Sequence, residues 1–253
     1  MTKLSVNLNK IAWLRNARDG VLPNLVEMAE ICVNSGADGI TVHPRSDMRH
    51  IRPDDVRVLK EYTSSVGVEF NIEGNPSVNL EGDYPGFLNI VNDNKPDQCT
   101  LVPDNADQLT SDHGWDLKAD VQNLKEIIYK LKSEYIRVSL FIDPDVEQIT
   151  RAQEIGADRI ELYTGPFAES ISGDQESLIV EKYTKAIKHA RSIGLEVNAG
   201  HDLNLKNLAL LLSLGPIDEV SIGHALISDS LIYGLKTTVE TVSYTHLTLP
   251  TKA

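Results

Sequence analysis

Short apolar runs rich in β-branched residues recur along this chain between helical segments, and they keep ending on polar side chains able to do chemistry. They read Ser5-Val6-Asn7, Ile40-Thr41-Val42-His43, Phe70-Asn71-Ile72-Glu73, Ile160-Glu161, Val197-Asn198-Ala199-Gly200-His201 and Val220-Ser221-Ile222-Gly223-His224. Strand–helix units in series bring the C-terminal ends of parallel strands to one rim, where such folds carry their active sites. The pattern predicts an α/β protein, a (β/α)8 TIM barrel with His, Glu and Asn at its mouth, and hence an enzyme.

The periodicity supplies eight strands: 4–8, 38–43, 66–73, 98–102, 136–142, 159–163, 195–198 and 219–223. Helices are expected over 24–35, with Gly36 as the cap, and over 53–62, opened by Pro53. Others are expected over 80–91, 118–131, 144–155, 177–193 and around 205–214. Residues 9–23, rich in Asn and Arg, read as a loop, as do the polar stretches 103–116 and 164–176; the middle one follows a strand, where a substrate cover and a plain surface excursion are both open. Crossovers of this length close a barrel or open into a doubly wound sheet. No GxGxxG follows the first strand, which counts against the dinucleotide-binding alternative.

A barrel of this kind uses about 250 residues, so a 253-residue chain needs one domain. That domain is assigned to residues 1–242. Residues 243–253 abandon the apolar period, carry three Thr and a Pro without any acid, and read as a non-native or disordered tail set aside from the fold. With 24 Lys and Arg against 37 Asp and Glu, the net charge is −13, which argues against nucleic acid or an anionic membrane as partner. Anionic ligands must then be held by locally placed arginines. Cys32 and Cys99 sit among apolar neighbours without metal spacing, and no run approaches the ~20 apolar residues of a membrane span, so a cytoplasmic protein with free buried thiols is expected.

Two His and two Arg share one strand-end loop: His43, Arg45, Arg49 and His50. Imidazole titrates near neutrality and guanidinium grips phosphate bidentately, so this is a composition for proton transfer beside a phosphorylated substrate; a solvated loop is the blander alternative. Glu73 at a drying barrel mouth would have a raised pKa suited to a general base, unless it is salt-bridged to an Arg. His201 and His224, each after a glycine, end the seventh and eighth strands, where barrels bind phosphate through backbone N–H groups. Asn7 with Arg15 and Arg18 offers a second anion site. His113, His189 and His246 read as surface residues. Ser172 lacks a GxSxG context, and neither HExxH nor a P-loop occurs. Four His with Glu73 and Glu161 leave a divalent cation arguable, but the neighbouring arginines favour anions, so no metal is assigned.

Together Val6-Asn7, Leu14-Arg15-Asn16-Ala17-Arg18, Gly36-Ala37-Asp38-Gly39-Ile40-Thr41-Val42-His43, Arg49-His50-Ile51, Leu101-Val102-Pro103, Val138-Ser139-Leu140-Phe141-Ile142-Asp143, Val197-Asn198-Ala199-Gly200-His201 and Ile222-Gly223-His224-Ala225 resemble the pyridoxine 5′-phosphate synthase family of vitamin B6 biosynthesis, across nearly all of residues 4–240. The resemblance implies a TIM barrel that condenses 3-amino-2-oxopropyl phosphate with 1-deoxy-D-xylulose 5-phosphate, a transferase-type ring closure releasing phosphate and water without an organic cofactor. It implies His43 and Glu73 as proton acceptors and His201 as proton donor. Asn7 and Arg18 would contact the amino-ketone phosphate, Arg45, His50 and Thr110 the sugar phosphate, and Gly223 and His224 a phosphate. It also implies a homo-octamer in which the loop holding Arg18 reaches a neighbouring subunit's site.

The chain departs from the family twice. Many members have Asp-His where this chain has Asn9 and Lys10, so a keto-sugar contact would be remade by an amide and an ammonium. Asp202, counted with the substrate-binding residues, stands where Gly is often found; a carboxylate there repels a phosphate unless it points away or pairs with a cation. Two rival classes stay open on the residues alone: a barrel isomerase or aldolase, with Lys10 the best Schiff-base candidate, and a ligand- or metal-binding protein without turnover.

Overall fold

Eight parallel strands hydrogen-bond in sequence order and close on themselves, β8 returning to β1. The structure, a computed structural model, describes residues 1–18, 20–105, 108–171 and 173–247. In chain order the elements are β1 (Lys3–Asn7), α1 (Asn9–Asn16), α2 (Leu25–Asn34), β2 (Gly39–Val42), α3 (Pro53–Val66), β3 (Glu69–Gly74), α4 (Phe87–Asn94), β4 (Gln98–Leu101), α5 (Gln122–Ser133) and β5 (Arg137–Ile142). They continue with α6 (Val146–Glu154), β6 (Arg159–Tyr163), α7 (Gly165–Ser170), α8 (Glu176–Ser192), β7 (Glu196–Gly200), α9 (Leu208–Ser213), β8 (Glu219–Ile222), α10 (His224–Tyr233), α11 (Leu235–Glu240) and a π-helical turn, Thr241–Leu247. This is a (β/α)8 TIM barrel. Among the described residues no helix is long and apolar enough to cross a membrane.

Strict alternation along the strands sorts the residues into two environments. Leu4, Val6, Ile40, Val42, Phe70, Ile72, Val138, Leu140, Ile160, Leu162, Val197 and Val220 face the helices and form, with the buried helix faces, one continuous apolar core. The intervening residues face the lumen, and most of these are polar. Ser5 Oγ meets Thr41 Oγ1 at 2.7 Å, Asn71 Nδ2 donates to Thr41 Oγ1 at 3.3 Å, and Thr100 Oγ1 donates to Asn71 Oδ1 at 3.1 Å. Nearer the strand starts, Gln98 Oε1 accepts from Arg137 Nε and Arg159 Nη1, each at 3.0 Å, and from Asn198 Nδ2 at 3.4 Å. TIM barrels usually fill this space with branched aliphatics; here a hydrogen-bonded polar column runs up to the mouth.

One device recurs four times. Asp38, Asp97, Asp158 and Asp218 immediately precede or abut the even-numbered strands, about 60 residues apart. Each carboxylate accepts the backbone N–H of the preceding odd-numbered strand: Leu4, Phe70, Val138 and Val197, at 2.9, 2.9, 2.9 and 2.8 Å. Each Asp thereby staples the bottom of a strand pair, and the barrel is built of four such pairs.

The helix starts follow local chemistry. Asn24 Oδ1 accepts from Val26 and Glu27 N–H to cap α2, and Asp145 Oδ1 does the same for Glu147 and Gln148 at α6. Three stretches depart from the sequence expectation. The first half of 9–23 is helical: Asn7 Oδ1 accepts Asn9 N–H at 2.9 Å to turn the chain, and α1 then buries Ile11, Ala12 and Arg15 at helical spacing. Its Asn and Arg content masked that period. Within 164–176 a short α7 buries Phe167, while Ser172 lies outside the described residues. The helix expected over 80–91 begins only at Phe87, because Gly86 turns the chain with φ +96° and Glu81 bridges Tyr84. Of the segment 243–253, Ser243 is buried and its Oγ donates to Gly36 O at 2.9 Å, whereas residues 248–253 and the side chains of 245–247, His246 included, lie outside the described part.

Candidate active site

The C-terminal ends of the strands surround a cavity of about 290 Å³. Twelve of the thirteen residues singled out in the sequence line it: Asn7, Asn9 and Lys10 after β1, His43, Arg45 and His50 after β2, Glu73 on β3, Thr110 from the loop after β4, His201 and Asp202 after β7, and Gly223 and His224 after β8. Arg18 is the exception. It lies exposed just beyond α1 and does not reach this cavity.

The loop carrying the two histidines and two arginines is pinned from α1. Arg15 forms a buried two-pronged ion pair with Asp55, at 2.5 and 2.8 Å, and donates to His50 O at 3.3 Å. Asn16 Nδ2 faces the carbonyls of Met48, Arg49 and His50 at 3.3, 3.2 and 2.8 Å. Arg15 is thus a scaffold for the loop, while the guanidinium that lines the cavity is that of Arg45, paired with the buried Asp104. Asp104 also accepts from Ser111 Oγ at 2.7 Å, and Arg45 and Arg49 both donate to Gln108 O, which ties the loop after β4 across the mouth.

Burial and charge pull the titratable groups apart. Glu73, buried and close to Glu161, Asp104 and Glu219, has its pKa pushed well up, first by desolvation and then by those carboxylates. His43 is pushed well down by burial, then by Arg45, His50 and Arg49. His50 is pushed down to about 3 by burial and the two arginines. Its Nδ1 accepts Ile51 N–H at 2.9 Å, so the neutral ring carries its proton on Nε2 and is a fixed donor. Lys10, on α1 instead of a loop, has its pKa lowered by burial and by Arg49 and Arg45; its Nζ sits 4.6 Å from the centroid of the Trp13 ring.

His201 is held on both nitrogens, Nε2 2.8 Å from Thr110 Oγ1 and Nδ1 2.8 Å from Asp202 Oδ2. Its ring packs edge-on against Tyr163, centroids 5.3 Å apart. Gly223 and His224 open α10, so backbone N–H groups and the positive end of the helix dipole face the cavity, a setting suited to phosphate. Among the described residues, no group of three or more His, Cys, Asp or Glu is arranged to hold a metal ion.

Comparison with known proteins identifies the lineage. The profile described as "Pyridoxal phosphate biosynthesis protein PdxJ" matches residues 4–246. The chain belongs to this family. A pyridoxine 5′-phosphate synthase of Xanthomonas axonopodis pv. citri (strain 306) is 52% identical over 239 residues, 94% of each chain. That of Xylella fastidiosa (strain 9a5c) is 48% identical over 239 residues, 94% of this chain and 92% of the relative. Solved structures share the fold at low identity. Tryptophan synthase of Mycobacterium tuberculosis matches with a TM-score of 0.65 and 15% identity, covering 98% of this chain and 93% of that one. Thiamine phosphate pyrophosphorylase of Pyrococcus furiosus matches at 0.57 and 16%, covering 94% and 92%.

Within this family member, the cavity holds further groups to which the sequence assigned no substrate or proton-transfer role, Glu161 having stood there only as a strand-end acid and an arguable cation ligand. Glu161 on β6 is buried, has its pKa pushed up to about 7 by desolvation, and, among the described residues, its Oε2 has no hydrogen-bond partner. Ser221 and Phe141 also line the wall. The signal for all three is the lumen-facing phase of their strands: Glu161 pairs in register with Phe141 and Asn198, and Ser221 with Ser5 and Gly200.

Proposed function

We propose that the chain is a pyridoxine 5′-phosphate synthase, joining 3-amino-2-oxopropyl phosphate to 1-deoxy-D-xylulose 5-phosphate with release of phosphate and water, and that Glu73, His43 and His201 move the protons. The observation that carries this reading is that these three side chains, from three different strands, line one cavity with Arg45, His50 and the α10 N-terminus around them. Family membership and relatives of about half identity over nearly the whole chain support it.

Closing a pyridine ring from an amine and two carbonyl compounds demands imine formation, loss of phosphate, carbon–carbon closure and dehydration, so protons move at several atoms and one base does not suffice. Glu73, once ionised, accepts a proton more readily than an exposed glutamate because its pKa is raised. His43 rests neutral, the form that accepts a proton, and a phosphate dianion bound beside Arg45 would offset the positive field that now holds its pKa down. His201 would donate. Asn7, whose Nδ2 lies 3.4 Å from Glu73 Oε2, can orient that carboxylate and a substrate group together.

Two phosphate ends need two cationic or N–H-rich pockets. Arg45, His50 and Thr110 would hold the sugar phosphate; Gly223 and His224 would hold the other through backbone N–H groups. Fixing both substrates in one cavity removes much of the entropic barrier to joining them. Asn9, whose Oδ1 accepts His43 N–H at 2.9 Å, and Lys10 would face the keto sugar.

Arg18 would serve a neighbouring copy's site in a homo-octamer. Exposed Leu14 on α1 with Leu231, Ile232 and Tyr233 on α10 supplies apolar surface that such an assembly would bury. The buried free thiols Cys32 and Cys99 suit a reducing, cytoplasmic setting. The deciding experiment incubates the protein with both substrates and records pyridine absorbance together with released phosphate. Both signals should rise only when both substrates are present; neither rising removes the synthase reading.

A further inference from the structure

The end of β7 is bent in a way that two ordinary residues rarely tolerate. His201 and Asp202 both have positive φ, +87° and +56°, a region where non-glycine residues carry strain unless their surroundings fix them. The surroundings do. Thr164 Oγ1 donates to Gly200 O at 2.8 Å and also to His201 O, while Asn204 and Asn207 donate through Nδ2 to Asp202 O at 3.3 and 3.0 Å. This turn folds the Asp202 side chain back onto the ring of the residue before it, with Oδ2 2.8 Å from His201 Nδ1.

We infer that Asp202 is a positioning residue for the reaction: its carboxylate accepts the Nδ1 proton of His201 and so presents Nε2 to Thr110 and the cavity. The inference rests on the proposed role of His201 as proton donor, and it reassigns Asp202 from binding substrate to orienting the residue beside it. An ionised carboxylate has no proton to give, so Nδ1 must be the donor in this contact, and in the neutral ring Nε2 is then the nitrogen that exchanges protons with whatever lies in the cavity. The His201 hydrogen bond, and beyond it the nearby Lys10 ammonium, holds the Asp202 carboxyl below the usual range, which keeps it in the accepting form.

Pointing at an imidazole, with Lys10 acting on it from α1, the charge at 202 is engaged instead of facing a phosphate. Lys10 and Asp202 are opposite in sign and act on each other across the mouth.

The test begins with the unmodified protein carrying ¹⁵N-labelled histidine, whose long-range ¹H–¹⁵N spectrum should show His201 with its proton on Nδ1 in the neutral ring. A ring protonated on Nε2 instead overturns the inference without any variant. Asp202→Asn and Asp202→Gly, the second relieving the positive φ should the first fold poorly, should then shift the ring toward the other tautomer. Because the carboxylate is half-exposed, kcat should fall only about tenfold, far less than at a buried aspartate–histidine pair, with KM for both substrates within about twofold. A rise in KM at unchanged kcat would make Asp202 a binding residue and sink the inference. His201→Asn separates the two levels: full turnover in that variant removes the donor role of His201, whereas the tautomer spectra still decide whether Asp202 governs the ring.

Discussion

His43 Nδ1 stands 3.9 Å from Glu73 Oε2, both side chains almost fully buried at the top of the lumen. At that separation a charged pair would be expected, yet the two groups are pushed the opposite way: the carboxyl up by desolvation and its neighbouring acids, the imidazole down by desolvation and two arginines. Both shifts favour the neutral forms, so the two groups are not locked together as a strong ion pair. Neutral His43 can then take a proton from a bound intermediate without first breaking a strong ion pair, whereas Glu73 acts as an acceptor only after losing its own proton.

Glu73→Gln keeps the shape and the hydrogen-bonding capacity toward Asn7 but removes the proposed proton acceptor. Turnover should drop by about 10²–10⁴-fold, while inorganic phosphate binding, measured by calorimetry, should stay close to that of the unaltered protein. Pyridoxine phosphate formation at a normal rate in this variant would take Glu73 out of the mechanism.

Stability should fall as pH rises from 6.5 to just above 8. Glu161 and Glu219 have folded pKa values of about 7 and about 8, above their ordinary 4.5, so the folded chain holds protons that the unfolded chain has already released. Their stabilising contribution is complete below pH 4.5 and is lost as pH climbs through the folded values. His43 and His50, lowered from 6.5, act in the other direction, but only below pH 6.5, where the unfolded chain begins to protonate them. Thermal melts across the range should show the decline, and Glu219→Gln should flatten it. A melting temperature that rises over that interval would contradict the buried-carboxyl account.

The polar column also predicts which basic residue the fold cannot spare. Arg159 is buried, donates to Gln98 and Glu196, and sits 3.8 Å from Glu69 and 3.6 Å from Glu219. Arg159→Met leaves those acids without their shared cation. Glu69 keeps Arg137 and Glu219 already tends to hold a proton, so the cost should be at the low end for a broken buried pair, about 3 kcal/mol. A urea midpoint unchanged from the unaltered protein would show that the column is held by hydrogen bonds alone.

Why the site could be read from the chain, and where that reading stops, follows from the same alternation. Residues at strand ends are flagged by a break in an apolar run, which is how His43, Glu73, His201 and His224 stand out. Ser221 sits inside β8, one step before its end, where a polar residue looks like any half-exposed alternation, and Glu161, two steps inside β6, shows in the sequence as a polar break without a neighbour that names its role; only closure of the barrel turns that face into a cavity wall. The four stapling aspartates escaped notice for a related reason: their partners lie roughly 20 to 35 residues away in the preceding strand, and nothing local in Gly36-Ala37-Asp38 or Pro216-Ile217-Asp218 names the N–H they bind. The helix α1 was hidden because its buried face includes an arginine, Arg15, whose burial depends on Asp55 far along the chain.

Gly200 is where the column meets the site. A Cβ at this position would overlap Glu161 Oε1 and stand 3.1 Å from its Cδ, with Ser221 Cβ 3.5 Å away on the other side. Gly200→Ala must therefore push the Glu161 carboxyl aside, and the open direction is the cavity, since its neighbouring strands are packed. Overpacking of this kind costs about 1–3 kcal/mol, and a misplaced wall carboxyl should lower kcat/KM by on the order of a hundredfold. Pairing the change with Glu161→Ala separates the two effects: melting temperature should recover because the clash is gone, whereas activity should stay low if the Glu161 carboxyl itself takes part in the chemistry. Recovery of both would reduce Glu161 to a filler of the barrel wall.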